Sequence, residues 1–533
     1  MQTQYSYFAI IVMILFSSFA AHGQDKNFEG TSHAFSPDYQ KPIFENDQRV
    51  EKIIEILPEL EALMAKYAKE NNIPGIAYGI VVDNELVIAS STGLLDVSQN
   101  IPAESTSAFR IASMTKSFTA MAIMDLRDKG KLALNDPVAK YIPEMSKLQY
   151  LTEDAPIIDI ENLLTMTAGF PEDNPWGDRQ LDESDQMLMG LISEGISFAN
   201  APSFQFEYSN TGYAILAFQF EYSNTGYAIL GQIISKVSGL PYQEYIKENI
   251  LLPLGMTHTY WEIDDVPINQ LAIGYRWEDE QWKKEPMLHD GAFGAMGGLI
   301  TSIEDFSKYV GFHLSAWPIR NGVESGPIKR SSLREMQTPQ FPRLNTNGDC
   351  AIMSGYGFGL GIYQNCNGTK WVSHGGALPG FGSNYRFFPE FGIGIMAFCN
   401  LTYTTPWPLA EIEALLYEKG VMEPRKLPVS DILEKRKNQL VVLIQTGNKE
   451  LEESILAENF FLDRSKENRY AEYKAILTQA GEIKNVTAVK PRNQLRGSFT
   501  LEGEYGDANI FFTLTPEKEP KIQQLDINFK KKE

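Results

Sequence analysis

Cysteine is scarce in this chain, with Cys350, Cys366 and Cys399 as the three thiols among 533 residues. Three are too few for a disulfide-rich scaffold and do not complete a four-cysteine zinc site. Cys350 and Cys366 flank a short, glycine-rich stretch that resembles a hairpin, and they could form a disulfide in an oxidising compartment. Cys399 adjoins an apolar run and is predicted to be a buried thiol.

Positive charge is also in short supply. The chain has 47 Lys and Arg residues against 68 Asp and Glu residues, which gives a net charge of −21. A nucleic-acid partner needs a basic surface for its phosphates, so this balance argues against one. The sequence has no His, Asp and Glu cluster with the spacing of metal ligands. We therefore expect no nucleic-acid partner, no metal and no cofactor.

An apolar run long enough to span a bilayer is missing as well. The segment from Phe8 to Ala21 is apolar but has 14 residues, whereas a membrane-spanning helix needs about 20. Small residues follow it, and cleavage before Gln24 would remove residues 1–23, although the first six residues lack Lys and Arg. A buried core helix is the alternative, but it would not normally begin at residue 8. We predict a signal peptide and a periplasmic or secreted protein, with no membrane span after cleavage.

The order of predicted strands and helices indicates the fold class. Apolar spacing predicts an amphipathic helix over 50–67 and strands over 76–82, 86–90, 356–363, 370–374, 383–388 and 392–398. Residues from about 130 to 320 have the pattern of helices and loops. We predict an α/β (α+β) protein whose mixed sheet is built from both ends of one domain, with an all-helical region inserted between them.

A chain of 533 residues exceeds the roughly 300 at which single cores stop growing, so more than one domain is expected. Beyond about residue 425 a charged stretch and short alternating strands replace the earlier pattern. After the signal peptide at 1–23, the predicted organisation is a polar segment at 24–48, a catalytic domain at 49–425, a linker or helix at 426–445 and a small α+β accessory domain at 446–533.

One segment occurs twice. Residues 204–216 recur without change at 218–230, separated by a single Ala. A period of 14 residues that occurs twice is too short and too rare for a repeat architecture, and its identity indicates a recent duplication or an assembly artefact. The repeat contains Tyr-Ser-Asn, so the chain carries two copies of that motif.

Ser113 and Lys116 suggest the chemistry. At i and i+3 of a predicted helix, the two side chains lie on one face, about one turn apart. A serine hydroxyl needs a nearby base to act as a nucleophile, and a helix N-terminus favours charge on its oxygen. A tyrosine held as phenolate near cations could take the Ser113 proton. An asparagine two residues later could bridge Lys116 and the substrate.

A third element, His374-Gly375-Gly376, follows a predicted strand. It would bring an imidazole and a backbone edge without side chains against the substrate, because glycine allows close approach. The N–H groups of Ser113 and Ala377 would form the oxyanion site.

Either Tyr-Ser-Asn copy could supply the base. The first, with Tyr208 and Asn210, keeps the upstream loop; the second, with Tyr222 and Asn224, keeps the downstream helix. An insertion is tolerated better in a loop than within a packed helix, so we favour Tyr222 and Asn224.

In this order and context, the motifs resemble those of the serine β-lactamase-related hydrolases, which include class C β-lactamases, D-alanyl-D-alanine carboxypeptidases and esterases. The similarity runs from about residue 74 to residue 400 and includes the segments 109–119, 130–138, 162–169 and 373–382. The resemblance implies a β-lactamase/transpeptidase-like fold with Ser113 as the acylated nucleophile, Lys116 as its partner and the tyrosine as the base. His374 stands where the β-lactamases have a Lys before Thr-Gly, so the cation for an antibiotic carboxylate is lost.

These observations predict an exported serine hydrolase that acts through an acyl-enzyme on a D-amino-acid peptide, amide or ester. The alternative is a catalytically impaired homologue that serves as a binding or scaffold protein, because the duplication could displace the base.

Overall fold

The computed structural model describes residues 36, 39–46, 48–203, 222–347 and 350–532. The predicted signal peptide and the first Tyr-Ser-Asn copy, with Tyr208 and Asn210, lie outside these residues. Within the described ranges, no helix combines the length and the apolar character needed to cross a bilayer. The chain divides into two units, with the boundary between Pro428 and Val429.

The larger unit, Lys41–Pro428, contains the strands of the main sheet and of two small ribbons. Their bounds are β1 Gly75–Val82, β2 Glu85–Asp96, β3 Ile101–Pro102, β4 Phe109–Arg110, β5 Tyr275–Glu278, β6 Gln281–Lys284, β7 Ile300–Thr301, β8 Arg343–Asn347, β9 Cys350–Tyr356, β10 Gly361–Gln364, β11 Lys370–Leu378, β12 Phe381–Phe388 and β13 Ile393–Cys399.

The main sheet joins the two ends of this unit. Nine antiparallel strands lie in the order β3-β2-β1-β13-β12-β11-β10-β9-β8, so that β1 pairs with β13, and Ile80 lies opposite Ile395. The chain between β3 and β8 supplies most of the helices. The predicted mixed sheet, built from both ends of the domain, is therefore confirmed.

The helices of the larger unit are mostly short. Their bounds are α1 Arg49–Glu55, α2 Leu57–Glu70, α3 Thr115–Asp128, α4 Ile160–Leu164, α5 Asp185–Glu194, α6 Asn224–Ser238, α7 Tyr242–Ile246, α8 Gly294–Gly297, α9 Ile303–Ser315, α10 Arg330–Met336 and α11 Leu409–Glu418.

At the centre of the main sheet, β1 and β13 are buried on both faces, and because successive side chains of a strand point in opposite directions, each strand contributes to two cores. In β1, Ile76, Tyr78 and Ile80 pack with α1, α2 and α11. The intervening Ala77 and Val81 belong to the other core, which includes α3 and α9. This double coverage explains why β1 and β13 are apolar at almost every position.

Three predicted elements differ from the structure. The helix expected over 50–67 is divided at Ile56, because Pro58 has no N–H to continue the hydrogen-bond ladder. The strand expected over 356–363 is two strands, β9 and β10, joined by a turn in which Gly359 has φ of +69°. The insertion is not all helical, since it contains the β5–β6 hairpin.

The C-terminal unit begins at Val429. It contains α12 Asp431–Thr446, α13 Lys449–Ile455, α14 Lys466–Ala480, β14 Ile483–Val486, β15 Lys490–Asn493, β16 Arg496–Gly503, β17 Gly506–Leu514 and β18 Ile522–Lys531. The strands form a five-stranded antiparallel sheet whose apolar face packs with all three helices. The segment predicted as a linker or helix at 426–445 lies mostly in α12, whose Leu433 and Leu440 belong to this core.

Candidate active site

Ser113 lies in a single turn of 3-10 helix, Ala112–Met114, which leads from β4 directly into α3. Ala112 has φ of +51°, a left-handed conformation that costs free energy for a residue other than glycine. Two contacts hold this turn: Ser383 donates a hydrogen bond of 2.7 Å to the Ile111 carbonyl, and Thr115 Oγ1 accepts one from the Leu299 N–H. The strained turn is thus fixed on both sides, by Ser383 of β12 and by Leu299 just before β7.

Lys116 is completely buried, and its ammonium group is surrounded by oxygen atoms. Nζ lies 3.1 Å from Ser113 Oγ, 2.6 Å from Asn224 Oδ1 and 3.0 Å from the Met296 carbonyl oxygen. Three acceptors match the three hydrogens of an ammonium group. A neutral amine fits equally well, because two hydrogens satisfy Asn224 and Met296 while the lone pair accepts from Ser113.

Asn224 begins α6, and the side chains of Ser223 and Asp173 accept hydrogen bonds from the N-terminus of this helix. Ser223 caps the helix by accepting a hydrogen bond from the Gly226 N–H. Asp173 accepts hydrogen bonds from the Asn224 and Thr225 N–H groups. Because these contacts fix the helix N-terminus, the Asn224 amide is oriented towards Lys116.

Tyr222 precedes this helix and lies against Lys116, whose Nζ is 4.7 Å from the centroid of the phenol ring. Burial raises the pKa of Tyr222 well above its ordinary value, and a hydrogen-bonding interaction with Ser113 offsets only part of the rise. The expected phenolate requires a lowered pKa. The structure gives the opposite direction, so Tyr222 is a neutral phenol in the free site.

Burial has the opposite effect on the pKa of Lys116. Loss of hydration lowers the pKa of Lys116, and the negative charges of Asp178 and Asp173 oppose this decrease. Burial also raises the pKa of Asp178, which accepts a 3.3 Å hydrogen bond from Asn224 Nδ2. An amine that loses its proton below the ordinary range is able to act as a base near neutral pH.

The His374-Gly375-Gly376 segment lies in β11, where the sheet has an open edge. Among the described residues, β10 pairs with β11 as far as Ser373, whereas β12 continues opposite the strand to Leu378. A side chain at Gly376 would place its Cβ 2.2 Å from the Ile111 carbonyl oxygen. Glycine is therefore required for β11 to approach the Ser113 turn this closely.

His374 is buried, and both of its ring nitrogens are engaged. Nδ1 lies 2.6 Å from the Gly375 carbonyl oxygen, and Nε2 lies 3.1 Å from the Tyr356 hydroxyl. Burial lowers the pKa of His374 to about 4, and the nearby charge of Lys116 acts in the same direction. The imidazole is therefore neutral near pH 7.

These groups line one cleft with a volume of about 1040 Å³. Ser113, Tyr222, His374, Gly375, Gly376 and Ala377 all contribute to its surface, and Lys116 and Asn224 lie beneath. The structure thus brings together every predicted site residue that it describes. Among the described residues, no group of three or more His, Cys, Asp and Glu side chains could hold a metal ion.

Comparison with known proteins identifies the family. The family model described as Beta-lactamase matches residues 60–218 and 219–418. The chain belongs to the β-lactamase family. The two matched segments meet at residues 218 and 219, at the start of the second copy of the repeated segment.

Relatives of this β-lactamase family member include Beta-lactamase-like protein 2 of Dictyostelium discoideum. It is 28% identical over 430 residues, which cover 78% of this chain and 72% of the relative. Protein flp of Staphylococcus aureus (strain MRSA252) is 28% identical over 347 residues, which cover 64% of this chain and 62% of flp.

Two solved structures share the fold. The octameric penicillin-binding protein homologue from Pyrococcus abyssi has a TM-score of 0.55 at 23% identity, with coverage of 88% of this chain and 95% of that one. A penicillin-binding protein from Bacillus halodurans has a TM-score of 0.51 at 23% identity, with coverage of 66% and 98%.

Three contributors to the site were not predicted from the sequence. Tyr356 of β9 contacts His374 of β11 across the intervening β10. Asp178 lies in a single turn of 3-10 helix beside Asn224, and Met296 contributes only its backbone carbonyl. Every residue has a backbone carbonyl, so its role cannot be inferred from the residue type, and an isolated Tyr or Asp belongs to no motif. No sequence signal therefore marked these three residues.

Proposed function

We propose that the protein is an exported serine hydrolase that acylates Ser113 with a D-amino-acid peptide, amide or ester. The contact of Lys116 Nζ with Ser113 Oγ and Asn224 Oδ1, at 3.1 and 2.6 Å, carries this proposal. It joins a nucleophile from the 3-10 turn and a base from α3 with an amide from the second Tyr-Ser-Asn copy. A cleft of about 1040 Å³ is large enough for a small substrate of this kind.

Lys116 is the base in the proposed acylation. In its neutral form, two N–H groups remain bonded to Asn224 and Met296, and the lone pair takes the Ser113 proton as Oγ attacks the substrate carbonyl. The tetrahedral oxyanion would be bound by the N–H groups of Ser113 and Ala377. This assignment replaces the phenolate expected from the sequence, because the two pKa shifts run in opposite directions.

Tyr222 is the proton donor to the leaving group. Its phenol keeps its proton because burial raises the pKa, so it can protonate the departing oxygen or nitrogen as the bond from that atom to the carbonyl carbon breaks. The Lys116 ammonium then returns a proton to Tyr222. In deacylation the protons move in the reverse order: Tyr222 takes a proton from the attacking water as it passes its own to Lys116, and the Lys116 ammonium protonates Ser113 Oγ as the acyl–oxygen bond breaks.

Export is supported by two independent features. The apolar segment before residue 24 has the length of a signal peptide core. Cys350 and Cys366 form a disulfide between Cα atoms 5.1 Å apart, and such bonds persist in oxidising compartments. Cell fractionation and N-terminal sequencing test this part, with a mature terminus at Gln24 as the expected result.

Covalent labelling tests the hydrolase itself. We expect a fluorescent acyl-phosphonate to label the folded wild-type protein at Ser113 and to leave Ser113→Ala unlabelled. Ser193→Ala is the matched control, because Ser193 is an exposed helical serine bonded to its own helix. Labelling that persists in Ser113→Ala would refute the assignment, and a folded wild-type protein without any label would favour the scaffold alternative.

A further inference from the structure

Asp290 places a carboxyl group against the backbone of α8, the short helix whose Met296 carbonyl oxygen contacts Lys116. A Cβ added at Gly294 would lie 1.9 Å from Asp290 Oδ1, and a Cβ added at Gly298 would lie 2.1 Å from it. In the sequence, these two glycines stand on either side of Met296. Asp290 does not line the cleft, so an effect on the reaction would have to pass through α8.

The hydrogen-bonding groups around Asp290 Oδ2 are all satisfied when the carboxyl group carries a proton. Tyr242 Oη lies 2.8 Å from the Gly291 carbonyl oxygen and 3.1 Å from Asp290 Oδ2. A phenol has one hydrogen and a carbonyl can only accept, so the Tyr242 hydrogen is directed to Gly291, the shorter contact. The contact with Oδ2 is then a hydrogen bond if Asp290 supplies the hydrogen. Gln243 Nε2 donates to Oδ2 at 2.8 Å, which the hydroxyl of a carboxylic acid can still accept.

The second carboxyl oxygen, Oδ1, independently favours the neutral form. It is buried against α8 and has no hydrogen-bond partner among the described residues. A carboxylate spreads its charge over both oxygens, and a buried charged oxygen without a donor costs more free energy than a neutral one. Burial accordingly raises the pKa of Asp290 to about 7, although hydrogen bonds from Gln243 and Tyr242 and the charge of Arg110 oppose the increase.

The charged groups near Asp290 show what its ionisation would disturb. Arg110 of β4 is a buried cation that donates a 3.0 Å hydrogen bond to the carbonyl oxygen of Gly298, the residue that caps α8. Glu262 disfavours ionisation of Asp290 by charge repulsion, and its carboxylate lies 3.1 Å from His289 Nδ1. A charged Asp290 would attract Arg110 and compete with Gly298 for its guanidinium group. The neutral acid leaves this end of α8 bonded.

We propose that Asp290 is a positioning residue, a neutral carboxylic acid that holds α8 so that the Met296 carbonyl oxygen meets Lys116. The inference rests on the proposed function, because Lys116 is the base in that reaction. The same helix accepts a 2.6 Å hydrogen bond from Thr119 at the Ala295 carbonyl oxygen, so α8 is joined to α3 at two points. A displacement of α8 would therefore change the surroundings of the Lys116 amine.

Infrared spectroscopy tests the protonation of Asp290 without turnover. The difference spectrum of the wild type minus Asp290→Asn is recorded at about pH 5 and at about pH 9, on either side of the raised pKa. We expect the C=O stretch of a protonated carboxylic acid at the lower pH and carboxylate bands at the higher pH. Tyr242 stays a phenol in this range, because burial raises its pKa well above the ordinary value. Carboxylate bands at the lower pH would overturn the proposal.

The pH dependence of stability provides a second measurement. Asp290 of the unfolded chain releases its proton near pH 4, whereas the folded protein retains it to about pH 7. The wild type should therefore lose stability relative to Asp290→Asn as the pH rises through this interval, and the difference should be constant above it. Denaturant unfolding measures both, with Asp154→Asn, at an exposed turn, as the control. A difference that does not change through the interval would contradict a neutral buried acid.

Ester kinetics separate positioning from a purely structural role. Asn keeps the shape and a hydrogen-bond donor of the neutral acid, so Asp290→Asn should retain kcat and KM within about threefold. Asp290→Ala removes the support of α8 and should lower kcat about tenfold with little change in KM, because the cleft lining is intact while the base is misplaced. A folded Asp290→Asn that loses as much kcat as Asp290→Ala, or wild-type kcat in Asp290→Ala, would contradict the proposal.

Failure of the proposed function is distinguishable from failure of the Asp290 assignment. Absence of both ester turnover and Ser113 labelling in the wild type would count against the hydrolase and the positioning role together, while the infrared spectrum still decides whether Asp290 is a neutral acid. Wild-type turnover with an unchanged kcat in Asp290→Ala would leave the hydrolase intact and reject the role of Asp290. If Asp290→Ala does not fold, the infrared and unfolding measurements on Asp290→Asn decide.

Discussion

Lys116 is the residue whose protonation controls the proposed chemistry. It is buried among three oxygen atoms that accommodate either the ammonium or the amine. Burial lowers its pKa and raises that of Tyr222, so a neutral amine and a neutral phenol can exist together. The proposed reaction therefore depends on the protonation states of Lys116 and Tyr222, and its pH dependence reports both.

The rate should rise with pH as Lys116 loses its proton. Because burial lowers its pKa, the rise in kcat/KM is expected well below the ordinary lysine value of about 10.5. A decrease at high pH, where Tyr222 loses its proton, is expected above pH 10. Lys116→Met should lose about 10³-fold in kcat/KM and lack the acidic limb. The same limb in Lys116→Met, or a rise near pH 10.5, would contradict this role.

The two copies of Tyr-Ser-Asn allow a matched pair of substitutions. Tyr222→Phe should lower kcat at least about 10²-fold, because it removes the proposed proton donor. Tyr208→Phe, the same change in the first copy, should leave kcat within about twofold. Steady-state kinetics with one neutral ester decide between them, and circular dichroism checks the fold. The reverse pattern would transfer the role to Tyr208.

At the scale of elements, the approach of β11 to the Ser113 turn is set by glycine. A Cβ at Gly376 would lie 2.2 Å from the Ile111 carbonyl oxygen and 2.4 Å from Ser383 Oγ. At Gly375 the nearest atom would be Asn384 Nδ2 at 3.1 Å, the end of a side chain that can move. The two adjacent glycines therefore differ in what a methyl group would displace.

Gly376→Ala is expected to lower the acylation rate about 10²-fold, because it pushes β11 and the Ala377 N–H away from the oxyanion position. Gly375→Ala is the control and should retain most of the rate. Single-turnover kinetics measure both, with thermal unfolding to monitor stability. Equal rates in the two variants would show that the close contact at Gly376 does not matter for catalysis.

Sequence patterns predicted the elements that depend on local spacing. The Ser113–Lys116 pair follows from helix geometry, and the strands of the sheet follow from alternation and apolar runs. The division of a predicted strand at Gly359 did not, because it reflects contact with α3: a Cβ there would lie 2.7 Å from the Ser117 Cα. The direction of the Tyr222 pKa shift was also not predicted from the sequence, since it depends on complete burial rather than on the motif.

At the scale of the whole molecule, strand pairing and a disulfide join parts of the chain that are separated in sequence. In the larger unit, β1 and β13 pair although about 300 residues separate them. The disulfide closes a shorter loop, with a sequence separation of 16 residues. Cys399, in β13, is buried as a free thiol. The thiol content of the folded chain is therefore a simple check on this arrangement.

Thiol titration should give no reactive group in the folded protein, one after unfolding without reductant and three after reduction. Replacement of both Cys350 and Cys366 by Ser should lower the free energy of unfolding by about 3 kcal/mol, as expected for a loop of this length. Three reactive thiols in unreduced, unfolded protein would show that the pair is not bonded.

Rapid-quench mass spectrometry of the wild-type protein with a neutral p-nitrophenyl ester tests the central claim most directly. The account predicts an acyl adduct that forms within the first turnover, maps to Ser113 and disappears as product accumulates. Complete absence of the adduct despite turnover would contradict acylation of Ser113. An adduct that forms and never decays would contradict a hydrolase.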